Sequence, residues 1–145
     1  MEISSDGKYL FYSCGPHLRQ YQVSNHQLVK EYKFKSVISA LATTFDNKFV
    51  FVSIKPRSLQ QICIDSQRII KDFGDINAFQ VNSIAVTRDN KFLITGDYEG
   101  SLLKFRIASQ PRTKEFGLSF LSFLGGKNKD IKEFGKVSPN GISTI

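Results

Sequence analysis

Asp6-Gly7-Lys8-Tyr9-Leu10, Asp46-Asn47-Lys48-Phe49-Val50 and Asp89-Asn90-Lys91-Phe92-Leu93 are three versions of one phrase, 40 and 43 residues apart. The chemistry of the phrase is local. Asp-Gly and Asp-Asn tolerate the positive φ that a tight turn between strands requires. The lysine stays in water, and the aromatic-aliphatic pair behind it opens a strand. Three other phrases keep the same step. Ile38-Ser39-Ala40-Leu41 is matched 43 residues on by Val81-Asn82-Ser83-Ile84, and Ile142-Ser143-Thr144-Ile145 matches both after a longer step of 61. Tyr21-Gln22-Val23, Ile62-Cys63-Ile64 and Phe105-Arg106-Ile107 alternate apolar and polar at spacings of 41 and 43, as half-buried strands do. Lys30-Glu31-Tyr32, Lys71-Asp72-Phe73 and Lys114-Glu115-Phe116 recur at 41 and 43. Four marks thus share one period of about 42 residues.

Each unit reads as four short strands. In the third unit these are Ser83–Thr87, Lys91–Thr95, Leu102–Ile107 and Thr113–Phe116. Turns at Arg88-Asp89-Asn90, at Gly96 through Gly100 and at Ser109-Gln110-Pro111 separate them. The second turn is Lys55-Pro56-Arg57-Ser58 in the second unit and Gly15-Pro16-His17 in the first. The pattern predicts an all-β chain, a partial β-propeller of about three four-stranded antiparallel blades. Blade 1 covers about 1–32, blade 2 about 33–73 and blade 3 about 74–117 of a single repeat domain, 1–145. An insert follows at about 118–134, then the start of a fourth blade at about 135–145. The insert is inferred from a second copy of Lys114-Glu115-Phe116-Gly117 at Lys132-Glu133-Phe134-Gly135, 18 residues on. It carries Leu118, Phe120, Leu121, Phe123 and Leu124, which suit either a cap over exposed core or a docking segment. Three blades are fewer than the four to eight of a closed ring. The chain therefore reads as part of a longer propeller, with completion by self-association as the alternative.

The stretch Leu93-Ile94-Thr95-Gly96-Asp97-Tyr98-Glu99-Gly100-Ser101-Leu102-Leu103-Lys104-Phe105 resembles the WD-repeat family. Thr95 stands at the family's serine, Glu99 at its turn aspartate and Phe105 at its tryptophan; Tyr21 and Ile62 stand at the tryptophan in the first two units. The Gly-His pair that usually opens the unit is missing. The family's buried Ser-His-Asp-Trp network is therefore unavailable, and the blades must rest on apolar packing. The resemblance implies a noncatalytic scaffold that binds protein or peptide partners within a larger complex.

Composition bounds the remaining functions. The chain has 145 residues, 41% hydrophobic and 23% charged, ordinary for a globular domain. Two cysteines, Cys14 and Cys63, exclude a disulfide-dense scaffold and a four-cysteine metal site. Both sit in apolar strand contexts, where a buried thiol is expected. No apolar run nears the ~20 residues of a membrane helix, and the start Met1-Glu2-Ile3-Ser4 is no signal peptide. The expected location is intracellular, cytoplasm first, with nucleus or cytoskeleton as alternatives. His17 and His26 are the only histidines and have no partner at metal-ligand spacing. No nucleophile has a base and an orienting acid beside it, and no phosphate-loop pattern occurs. Neither enzyme activity, cofactor nor metal is expected.

Binding residues are expected in the loops at one end of the blades, which gather on one face. The candidates for protein contact are His17, Lys55, Arg57, Tyr98 and Glu99, with Arg and Tyr types enriched in binding hot spots. Charge supplies the alternative. Residues 1–101 carry 12 basic and 10 acidic groups, whereas 102–145 carry 8 and 3, a net of +5. A charge-driven binder of anionic lipid or nucleic acid would use the basic 104–136 region, with Lys127, Lys129 and Lys132 as its anion-binding residues.

Overall fold

The computed structural model describes residues 1–76 and 80–107 in full and the backbone strand 132–136. The described chain is all-β, twelve strands in three four-stranded antiparallel sheets. The first sheet holds β1 (Glu2–Ile3), β2 (Tyr9–Cys14), β3 (His17–Gln22) and β4 (Leu28–Lys33) in that order. The second holds β5 (Ile38–Thr43), β6 (Phe49–Ile54), β7 (Ser58–Cys63) and β8 (Arg68–Asp75). The third holds β9 (Val81–Val86), β10 (Phe92–Asp97), β11 (Ser101–Arg106) and β12 (Lys132–Lys136). Each sheet is one propeller blade, a meander in which every strand pairs with its neighbour in sequence. The three-blade expectation holds.

One strand is not where spacing put it. β12 pairs with β11 through Leu103↔Glu133 and Lys104↔Lys132. The edge of the third sheet is thus formed, among the described residues, by the second copy of the Lys-Glu-Phe-Gly phrase. Both copies carry the same residues, so local pattern cannot choose between them. Thr113–Phe116, the apolar run 118–124 and Ile142–Ile145 lie outside the described residues.

The phrase that set the period builds the same clamp in every blade. A hydroxyl two residues before the aspartate donates to its Oδ1: Ser4 to Asp6, Thr44 to Asp46 and Thr87 to Asp89, each at 2.6 Å. The same Oδ1 accepts the N–H of Lys8, Lys48 or Lys91 at 3.0–3.1 Å. The hydroxyl oxygen in turn accepts the N–H of Tyr9, Phe49 or Phe92 at 3.0 Å. Gly7, Asn47 and Asn90 sit at φ +72°, +60° and +58°, the left-handed region that Gly and Asn tolerate. The two asparagines do more than tolerate it. Asn47 Oδ1 accepts the N–H of Asp6 at 3.1 Å, and Asn90 Oδ1 accepts that of Phe45 at 2.7 Å. Each asparagine thereby clasps the turn of the blade before it.

Packing follows from strand alternation. On one face of the second sheet Val50, Val52, Ile54, Ile62 and Ile64 pack against Phe11, Leu18, Tyr32 and Phe34 of the first blade and its exit. On its other face Phe49, Phe51, Leu59 and Cys63 meet Leu93, Phe105 and Ile107 of the third. Phe73 bridges this second interface, 6.4 Å from Phe51 and edge-on to Phe105 at 5.6 Å between ring centres. Burying one such side chain contributes about 1.5–3 kcal/mol, so the two interfaces outweigh any single turn. Cys63 is buried as expected, whereas Cys14 is exposed, on a sheet face against which no other described sheet packs.

Two outcomes test the clamp. Thr44 is fully buried, so Thr44→Val, which keeps shape and removes the hydroxyl, should lower the unfolding free energy by about 1–3 kcal/mol. A urea midpoint that falls at constant slope is the expected reading, and Thr44→Ser should restore most of it. The hydroxyls of Ser4 and Thr87 are the main cause holding the Asp6 and Asp89 carboxyls below the ordinary value of 3.8. Their stabilisation is present above that value and is lost as pH falls through the lowered folded values. Urea midpoints should drop on acidification below about pH 4, and less steeply in Ser4→Ala/Thr87→Ala.

Candidate functional site

The turns between the second and third strands of each blade lie at one end of the sheets, opposite the Asp turns. Gly15-Pro16 joins β2 to β3, with Gly15 at φ +58° and Cys14 paired to His17 across the turn. Glycine first and proline second suits the tight II′ geometry. The connection to the next blade folds onto this turn: the Phe34 N–H donates to the Pro16 carbonyl at 2.9 Å and the Ile38 N–H to that of Gly15 at 3.0 Å. The Lys55 N–H then donates to the Val37 carbonyl at 2.8 Å. One backbone chain of hydrogen bonds thus runs from the turn of blade 1 to that of blade 2.

The second turn is tied outward as well. The Ile76 N–H donates to the Arg57 carbonyl at 3.2 Å, and Arg57 Nη2 lies 3.2 Å from Asp75 Oδ2. In the third blade the buried Asp97 organises the turn. Its Oδ1 accepts the N–H groups of Glu99 at 3.1 Å and Ser101 at 2.9 Å. Gly100, at φ +89°, closes the turn by donating to the Asp97 carbonyl at 3.2 Å. The carboxylate that shapes the turn is therefore Asp97, two residues before the Glu99 that the family resemblance puts at the turn aspartate. A carboxylate at either position can receive turn N–H groups, and the sequence offers both.

The five candidate contact residues divide accordingly. Lys55 is exposed and Arg57 half-exposed in one turn, while Tyr98, 50% exposed, and the half-buried Glu99 share another. Val37 adds an apolar side chain, 43% exposed, to the connection beside Lys55, and Asp75 pairs with Arg57; they lie in the inter-unit loops Lys33–Val37 and Gly74–Gln80, which the sequence also places on the contact face. His17 stands apart. It opens β3 beside the turn, with Nδ1 3.5 Å from Glu31 Oε1. That carboxylate also takes a 2.8 Å bond from Arg19 Nε, which holds it below its ordinary pKa. Lys127 and Lys129 lie outside the described residues, and Lys132 opens β12 opposite Lys104.

At the other end of blade 1, a shallow depression of about 240 Å³ is lined by Gly7, Lys8, Tyr9, Gln22, Val23 and Ser24. Among the described residues, no group of three His, Cys, Asp or Glu side chains could hold a metal ion. No described helix is long and apolar enough to cross a membrane.

No family model matches the chain, and no curated protein does. Solved structures do. The WD40 repeats of RRP9 superpose with a TM-score of 0.69 at 12% identity, over 75% of this chain and 35% of that one. U3-55K gives 0.70 at 12% identity over 75% of this chain and 36% of that one. Hydrazine synthase of Kuenenia stuttgartiensis gives 0.74 at 16% identity over 98% of this chain and 36% of that one. The chain spans about a third of the length of the structures it matches. Identities this low speak for fold alone, and the fold they support is a WD-like β-propeller.

Proposed function

We propose that the chain is a noncatalytic scaffold segment that docks protein or peptide partners on the end carrying the turns at 15–16, 55–57 and 98–100. The observation behind this reading is that backbone hydrogen bonds join the first two turns and their connections into one continuous, ordered surface. A surface fixed by backbone bonds loses little freedom on binding, and that loss is a main cost of association. It presents Tyr98, Val37 and an Arg57 held in place by Asp75. Aromatic and guanidinium groups on a rigid frame are the usual anchors of peptide contacts. The fold likeness to WD40 repeats is in keeping with this use. The alternative, capture of anionic lipid or nucleic acid by the basic last third, rests on charge asymmetry alone, and salt separates the two.

Peptides selected from a random display library on the wild-type chain should bind with affinities that Tyr98→Ala or Arg57→Ala weakens about tenfold or more. Raising the salt should change them little. Binding that ignores both substitutions and collapses with salt would overturn this reading in favour of the anion binder. The loss in Arg57→Ala must not come from unfolding. Its partner Asp75 is 64% exposed, and such pairs contribute about 0–1 kcal/mol, so its urea midpoint should stay close to wild type.

A further inference from the structure

We propose that Phe45 and Arg88, at the end of the blades opposite the contact turns, form a second docking point, for an extended peptide with a carboxylate side chain two residues from a large apolar one. The clamp leaves one position free. Between its hydroxyl and its aspartate each clamp holds a single residue: Ser5, Phe45 and Arg88. The hydroxyl–carboxylate bond is 2.6 Å in all three blades, so nothing in the turn requires an aromatic there. Phe45 is nevertheless 46% exposed. One exposed aromatic is ordinary on a protein surface, but the setting of this one is not.

The setting is rigid and carries a cation. The Phe45 N–H donates to Asn90 Oδ1 at 2.7 Å, and Thr44 and Asp46 on either side are bonded to each other at 2.6 Å. The ring therefore stands on backbone that two blades hold. Arg88 is exposed and lies over the ring, its guanidinium carbon 5.9 Å from the ring centre, within the range of cation–π attraction. Among the described residues no carboxylate pairs with Arg88. Its planar fork of donors is thus open to a carboxylate. The ring restrains the side chain before a partner arrives, which lowers the cost of binding. The stack is not what joins the blades. At the first junction the same two places hold Ser5 and Phe45, and that junction is closed by an asparagine bond all the same.

Charge and spacing select the partner. The turns Thr44–Lys48 and Thr87–Lys91 carry Lys48, Arg88 and Lys91 against Asp46 and Asp89, a net of +1. That balance suits one carboxylate. A nucleic acid strand brings a phosphate at every step and would meet both aspartates as well. Alternate side chains of an extended peptide share a side and stand about 6–7 Å apart. That matches the 5.9 Å between guanidinium and ring, so an acid at one position reaches Arg88 while an apolar group two residues away rests on Phe45.

Random linear peptides selected on the Arg57→Ala/Tyr98→Ala chain, from which the turn-end contact has been removed, should carry Asp or Glu two residues from Phe, Leu or Ile. Arg88→Ala and Phe45→Ala, each made in that chain, should weaken a selected peptide about tenfold or more. Their urea midpoints should stay close to that of the parent, since both side chains are exposed. Changing the acid of the peptide to its amide should cost a similar factor on the parent and little on Arg88→Ala, the mark of a direct pair. Binders indifferent to Phe45 and Arg88, binders without an acidic residue, or no enrichment at all overturn the proposal. So does an oligothymidylate that binds at these two residues more tightly than any selected peptide. The turn-end contact is judged separately, by peptides that depend on Tyr98 and Arg57 in the wild-type chain, and it stands or falls whatever happens at Phe45 and Arg88.

Discussion

Each blade depends on one hydroxyl–carboxylate bond. Ser4, Thr44 and Thr87 each hold an aspartate at 2.6 Å, and the aspartate then holds the turn. Together with the backbone bonds from the Ser4, Thr44 and Thr87 N–H groups to the Tyr9, Phe49 and Phe92 carbonyls, that bond fixes the register of the first two strands of a blade, and register decides which face of a strand is apolar. A slip of one residue would turn Phe51 to the wrong blade. The clamp is polar, with the hydroxyls of Ser4 and Thr44 buried, and through register it helps to direct side chains to the two apolar interfaces.

Those interfaces take the place of the buried polar network that WD repeats use. With no tryptophan in the chain and no Gly-His pair opening a unit, the positions of the missing ring are filled by Ile62 and Phe105, buried among neighbours of the adjoining blade. Apolar contact is not directional, so it does not align blades by itself. The asparagine clasps of Asn47 and Asn90 supply direction at the Asp-turn end, and between the first two blades the bonds from the Ile38 N–H to the Gly15 carbonyl and from the Thr43 hydroxyl to the Ile3 carbonyl add to it. At the equivalent position of the first blade stands Gly7, which has no side chain to make such a bond.

The period, the four-strand unit and the Asp turns were all legible in the residues, because each is a local property: alternation of apolar side chains, and tolerance of positive φ. The contact turns were legible as places, since Lys55-Pro56-Arg57 and Tyr98-Glu99-Gly100 interrupt the alternation. Their internal order was not. Whether Asp97 or Glu99 takes the N–H groups depends on how far β10 runs, and β10 runs to Asp97 because Val81 of β9 pairs with it. The partner of Arg57 is likewise Asp75, 18 residues away on the edge strand.

By itself the sequence determined the architecture: three units of one period, each able to make four strands and a clamped turn, because backbone conformation and alternation are set by neighbours in the chain. The tertiary structure alone decided that Lys132–Lys136, a repeat of an earlier phrase, pairs with β11 in the third sheet. It also decided the fate of equivalent positions, so that Ile62 is buried and Tyr21 is not, and Cys63 is buried while Cys14 is exposed. The physical reason is the same in both cases. Burial is a property of the surface that arrives from elsewhere in the fold, and two residues with the same local pattern differ only in whether another sheet comes to cover them.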